Sequence, residues 1–216
     1  MKTKPAMRKT VALPLVVRGR QVDAQIVTFS NLSDPKEHVA LVVSGVDSPH
    51  HLPIVRIHSE CLTGDVFGSA RCDCGPQLEE SLEILSWNGG VVLYLRQEGR
   101  GIGLYAKIDA YELQDCGLNT YDANVELGFS PDARDYRVAA EMLQALEINV
   151  IRLLTNNPDK RTQLEHCGIV VAEQLSTRTY LTSHNASYLA TKVNRAGHAL
   201  LLLPLPAAPP DGTKSA

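Results

Sequence analysis

Runs of branched apolar residues alternate along the chain with stretches whose apolar positions recur every three or four residues, which predicts strands and helices by turns. HVALVVSG (38–45) and LPIVRIHSE (52–60) are rich in Val and Ile and read as strands joined by the polar turn VDSPHH. PQLEESLEILSW (76–87) opens on a proline where a helix can start and sets Leu78, Leu82 and Leu85 along one stripe. GVVLYLRQ (90–97) reads as a buried strand and EGRGIG (98–103) as a glycine-rich turn. That turn leads into the helix LYAKIDAYELQDCG (104–117), ended by Gly117. A helix over 135–148 places Ala139, Met142, Leu143 and Leu146 on one face. Strand VIRLLT (150–155), turn NNP, helix DKRTQLEHCG (159–168), strand IVVAEQL (169–175) and a last helix near 185–200 follow.

This order predicts an α/β fold with a single domain, a mixed sheet covered by helices. Residues 1–20 are expected to form a loosely held arm or an edge strand, and 21–203 the domain itself. The tail 204–216, PLPAAPPDGTKSA, has too little apolar content to order itself. The cysteine segment 61–75, with Gly64, Gly68 and Gly75, reads as a structured loop.

Composition changes the picture little. In 216 residues, 44% hydrophobic and 21% charged content is ordinary for a globular protein. A net charge of −3 argues against a general nucleic-acid binder, whose footprint would be basic. No run reaches the roughly 18 apolar residues a membrane span needs, and VALPLVV lacks the small-residue cleavage site of a signal peptide. Five cysteines, three of them clustered, suit a reducing compartment better than a disulfide framework. A cytoplasmic protein with neither nucleic-acid nor membrane partners is expected.

Cys61, Cys72 and Cys74 carry the clearest chemistry. Three thiolates without an obvious fourth are the ligand count of a zinc that keeps one position open, and such a metal acidifies a bound water. Spacing alone leaves a second reading open, a closed structural knuckle completed by His58, Cys116 or Cys167. A zinc-knuckle nucleic-acid or regulatory module would follow from that alternative. RQEGRGIG reads first as a strand-to-helix turn that simply needs its glycines; the second reading is an anion site, where Arg96 and Arg100 add charge at a helix N-terminus. In FSPDARDY the acids read either as caps of the following helix or, for Asp132 with Arg134, as an acid–guanidinium pair at a phosphate site. Tyr111, on a helix that also carries Lys107, reads as a proton donor or as half-buried packing.

Together the blocks RIHSECLTGDVFGSARCDCGPQL, LRQEGRGIGL, YDANVELGF, DARDY and LLTNNPDK, over about residues 56–160, closely resemble GTP cyclohydrolase II. That family opens the purine ring of GTP at the start of flavin synthesis. The resemblance implies a zinc-binding loop with Zn2+ on Cys61, Cys72 and Cys74, and Mg2+ at the triphosphate. It implies GTP contacts at Arg56, Ile57, His58, Ser59, Glu60, Gln77, Glu98, Gly99, Arg100, Thr120, Thr155 and Lys160. It assigns proton acceptance to Asp132, attack on the α-phosphorus with loss of pyrophosphate to Arg134, and ring opening to Tyr111. The expected products are 2,5-diamino-6-ribosylamino-4(3H)-pyrimidinone 5′-phosphate, formate and pyrophosphate. The resemblance further suggests a homodimer. The length leaves no room for the second enzyme to which some members are fused, so a standalone form is expected.

Overall fold

The computed structural model describes residues 4–46, 52–182, 185 and 202–204. The chain begins with β1 (Ala6–Ala12), a small hairpin of β2 (Leu15–Val17) and β3 (Arg20–Val22), then β4 (Ala24–Ser30) and β5 (Val39–Val43). β6 (Ile54–Ser59) leads through α1 (Leu62–Asp65) and α2 (Cys74–Asn88) into β7 (Gly90–Leu95). A 3-10 turn (Glu98–Gly101) precedes α3 (Leu104–Asp115), α4 (Thr120–Glu126) and α5 (Arg137–Ala145). β8 (Val150–Leu154), α6 (Pro158–His166), β9 (Val170–Leu175), β10 (Thr179–Leu181) and β11 (Leu202–Pro204) follow.

The main sheet has seven strands in the order β1-β4-β5-β7-β6-β8-β9. Its first half is antiparallel and its second half, β7-β6-β8-β9, is parallel, so the expected mixed sheet is present. The N-terminal residues supply the edge strand β1, bulged between Met7 and Lys9. Because side chains alternate along a strand, β6 sends Val55 and Ile57 into one core and Ile54 into the other. The first core packs α5 (Ala139, Met142, Leu143) and Leu164 of α6; the second packs Leu85 of α2.

Sequence periodicity located β5 to β9 to within a few residues. It did not single out β4, α1 or α4. The cysteine segment, expected as a structured loop, contains helix: Cys61 stands at the N-cap position of α1 without a side-chain capping bond, and α2 begins at Cys74 rather than at Pro76. The expected last helix and all of the tail beyond Pro204 lie outside the described residues. Among those described, no helix is long and apolar enough to cross a membrane.

From β6 the chain moves to β7 on one side, then crosses back to β8 on the other. Parallel sheets gather ligands at the carboxyl ends of strands beside such a reversal. The segments leaving these three strands carry Glu60-Cys61, Gln97-Glu98 and Thr155–Asn157, and all of them line one cavity.

Candidate active site

The cavity takes in about 1150 Å3 of non-atom space, open solvent included. Six cationic side chains line it (Arg56, Arg71, Arg100, Lys107, Arg134 and Lys160) against two acidic ones, Glu60 and Glu98. A chain of net charge −3 has therefore concentrated positive charge in one cleft, which suits a polyanionic ligand.

At one end lie Cys61, Cys72 and Cys74, whose sulfurs all fall within 4.8 Å of one another. Cys61 Sγ and Cys72 Sγ are 3.6 Å apart, far beyond a disulfide bond. Two thiolates on a tetrahedral zinc, each at about 2.3 Å, sit roughly 3.8 Å apart, so the spacing fits. The thiols divide one charge among them. Hydrogen bonds from Cys72 and Cys74 pull Cys61 well below the ordinary thiol range, whereas the bond to Cys61 pushes Cys72 up to about 11 and raises Cys74 too. A bound cation would let all three ionise. Among the described residues no His, Cys or carboxylate joins the group as a fourth ligand. His58 Nε2 is occupied by Asp65 at 3.0 Å, and Cys116 and Cys167 lie outside the cluster.

Asp65 holds the loop in place. Its carboxylate accepts from His58, from the Tyr94 hydroxyl (2.8 Å) and from the backbone N–H of Cys61 (3.0 Å). Burial lowers the pKa of His58 and keeps the ring neutral.

Cations line the cavity as well. Arg56 is buried, donating to Gln77 Oε1 at 2.9 Å and to the Leu154 carbonyl at 3.3 Å. Burial lowers its pKa, with Asp73 opposing. Lys160, near the start of α6, donates to the Ile57 carbonyl at 2.8 Å. α6 itself starts cleanly because Asn157 caps it and Pro158 takes the first turn. Arg134 donates Nε to Asp132 Oδ1 at 2.9 Å and an amino group to Oδ2, a forked pair. Burial works to raise the Asp132 pKa, but the hydrogen bonds and charge of Arg134 outweigh it and hold the carboxyl below its ordinary range. The Asp132–Arg134 turn is tied to the glycine turn: Ala133 N–H donates to the Arg100 carbonyl at 3.0 Å. Arg100 sits at φ 62°, costly for a side chain with a Cβ, and its guanidinium stacks 4.1 Å from the Tyr121 ring centre.

A family model described as GTP cyclohydrolase II matches residues 9–176. The chain belongs to that family. It is 52% identical over 194 residues to GTP cyclohydrolase-2 of Psychromonas ingrahamii, covering 90% of this chain and 96% of that one. It is 53% identical over 181 residues to GTP cyclohydrolase-2 of Vibrio cholerae, covering 84% and 91%. The riboflavin biosynthesis protein RibBA of Bacillus subtilis is 49% identical over 177 residues, or 82% of this chain and 44% of that protein.

Of the positions that resemble family site residues, the structure gathers Arg56, His58, Ser59, Glu60, Gln77, Glu98, Gly99, Arg100, Tyr111, Thr120, Arg134, Thr155 and Lys160 around the cavity with the cysteines. Ile57 and Asp132 do not line it. The Ile57 side chain is in the core and its carbonyl is taken by Lys160, while Asp132 stands behind Arg134. Sequence reasoning missed Lys107 as a site residue. Its ammonium reaches Glu98 Oε1 (2.8 Å), Thr63 Oγ1 (2.9 Å) and Cys61 Sγ (3.2 Å). Burial works to lower its pKa, but Cys61 and Glu98 overcome that and raise it. A lysine amid half-buried helix positions gives no local signal for this; only the fold brings Cys61 to it.

Proposed function

We propose that this chain hydrolyses GTP to 2,5-diamino-6-ribosylamino-4(3H)-pyrimidinone 5′-phosphate, formate and pyrophosphate with zinc on Cys61, Cys72 and Cys74, and that the product enters riboflavin synthesis. The carrying observation is the three-sulfur group, with no fourth protein ligand among the described residues, opening into a cavity with six cations. When bound there, zinc would acidify a water for attack on the electrophilic C8 between two ring nitrogens.

The chain's own residues supply the rest. Arg56, Arg100 and Lys160 attract the triphosphate, where magnesium, when bound, would offset further phosphate charge. Asp132 orients the Arg134 guanidinium, which suits Arg134 to neutralising charge at the α-phosphate. Attack by its nitrogen on phosphorus demands loss of a proton from a group whose pKa exceeds about 12. A guanylyl adduct mapping to Arg134 under rapid quench identifies that covalent role, and turnover without one identifies the clamp. Tyr111 lines the cavity on the cysteine side. It gives its proton to the leaving ring nitrogen and regains one from the C8 hydroxyl as the formamide carbonyl forms. Burial raises its pKa, so it is protonated at neutral pH and able to act as an acid.

A homodimer in the cytoplasm belongs to the same reading. Cys72→Ser tests its core: formate production should be abolished and zinc content should fall. Normal formate production would show that the thiolates do not hold the working metal.

A further inference from the structure

We propose that Thr63 and Lys107 are positioning residues that aim the Tyr111 proton into the cavity. The inference rests on the role given to Tyr111 above and deepens it.

Lys107 is buried, and its ammonium has three N–H donors and no acceptor. Three acceptors surround it: Glu98 Oε1, Thr63 Oγ1 and Cys61 Sγ, at 2.8, 2.9 and 3.2 Å. Glu98 is itself fixed, since its other oxygen accepts from Leu62 N–H at 2.6 Å. The ammonium is thus held in one orientation, and Thr63 Oγ1 must accept from it.

Thr63 Oγ1 also lies 3.2 Å from the Tyr111 hydroxyl oxygen. Only one hydrogen can lie between these two oxygens. An ammonium bonded to the threonine oxygen draws electron density from it, making its O–H a better donor and its lone pair a poorer acceptor. Cys61 Sγ, 3.7 Å from Thr63 Oγ1, is the more distant competitor for that hydrogen, and the shorter 3.2 Å contact favours donation from Thr63 to Tyr111, which turns the phenol's own hydrogen toward the cavity that Tyr111 lines.

The same arrangement serves the step that follows. When the ring nitrogen takes the proton, the Tyr111 O–H bond breaks and a phenolate remains. The Thr63 hydroxyl already points at that oxygen. Lys107 Nζ lies 5.7 Å from the ring centre and the Arg71 guanidinium 4.7 Å from it, so both cations favour the charged form. The phenolate then takes the proton released by the C8 hydroxyl and is restored. Burial, with Cys61 and Cys72 adding to it, raises the Tyr111 pKa, while Thr63 and Lys107 work against that rise. The network therefore keeps a buried acid usable.

The test compares Thr63→Val, Thr63→Ser and Tyr111→Phe in the zinc-loaded enzyme with GTP, following formate and pyrophosphate separately and measuring zinc content. Thr63→Val should slow formate release by about tenfold or more, a fraction of what a general acid contributes. Zinc content and the KM for GTP should stay within about twofold of wild type. Thr63→Ser, which keeps the hydroxyl, should retain formate release, and Lys107→Met should reproduce the valine defect if the valine variant does not fold. Wild-type formate release by Thr63→Val beside a defective Tyr111→Phe would overturn this inference alone. Equal losses in Thr63→Val and Thr63→Ser, or zinc loss in Thr63→Val, would overturn it in favour of a structural role. Normal formate release by Tyr111→Phe would overturn the reading of Tyr111 and this inference with it.

Discussion

Gly64 offers a way to perturb the cysteine centre without removing a ligand. It is buried within α1, and a Cβ added there would lie 2.7 Å from Cys72 Sγ and 3.1 Å from both Cys61 Sγ and Cys74 Cβ. Ordinary contacts are about 3.5–4.0 Å, so the sulfurs must retreat by nearly 1 Å. Its φ is not among the left-handed values, so alanine meets no backbone strain. Helix propensity favours the change by up to about 1 kcal/mol, whereas overpacking costs about 1–3 kcal/mol. Without metal, the thiols can turn aside and relieve the clash. With metal, turning aside breaks coordination, so the penalty falls on metal affinity. The propensity gain is the same with and without metal, so the overpacking cost of about 1–3 kcal/mol weakens zinc binding by roughly 5- to 150-fold. Competition against a chromophoric chelator measures this directly, and melting of the metal-free protein provides the control. Gly64→Ala should weaken zinc binding while leaving metal-free melting unchanged or slightly raised. Unchanged zinc affinity would refute the geometry assigned to the three sulfurs.

Three further outcomes follow from the same structure. Gly101 sits at φ 94° with Ala133 O 3.0 Å from an added Cβ, so Gly101→Ala should cost about 1–3 kcal/mol in urea unfolding and lower turnover; unchanged stability would contradict the close approach of the two turns. His38 donates Nε2–H to Asp34 at 2.8 Å and accepts the Arg96 N–H at Nδ1 at 3.0 Å, and burial lowers its pKa below 6.5. The fold thus prefers the neutral ring. Its contribution is complete above about pH 6.5 and is lost as pH falls toward the lowered pKa. His38→Gln should therefore flatten the fall in melting temperature between pH 7 and pH 5, and an unaltered slope would contradict the assignment. Chelation should abolish formate release yet leave the far-ultraviolet dichroism of a folded α/β protein, because neither apolar core includes Cys61, Cys72 or Cys74. Unfolding on chelation would instead mark the metal as structural.

The fold was legible where each element carries its own pattern. The branched run of β7 is buried as its pattern predicts, and α5 buries Ala139, Met142 and Leu143 of its expected stripe, with Leu146 half-buried at its C-cap. β4 was missed because only Ala24 and Val27 of its seven residues are buried, which leaves a diluted alternation. Helix α1 has four residues and α4 seven, too short for a period to show. The site was legible where chemistry lies in contiguous blocks, such as Cys72 with Cys74 or Asp132 with Arg134. It was opaque where tertiary contact creates the chemistry. Lys107 meets Cys61 across 46 positions, and Thr63 meets Tyr111 across 48. Arg71, which pairs with Asp115 at 2.7 Å and stacks on Tyr111, likewise gives no sign in its own segment.

The most direct measurement is mass spectrometry of GTP incubated with the purified zinc-loaded protein and magnesium. A ring-opened diaminopyrimidinone ribosyl phosphate should appear with equal amounts of formate and pyrophosphate. An intact guanine ring after prolonged incubation, with zinc verified on the protein, would contradict the account.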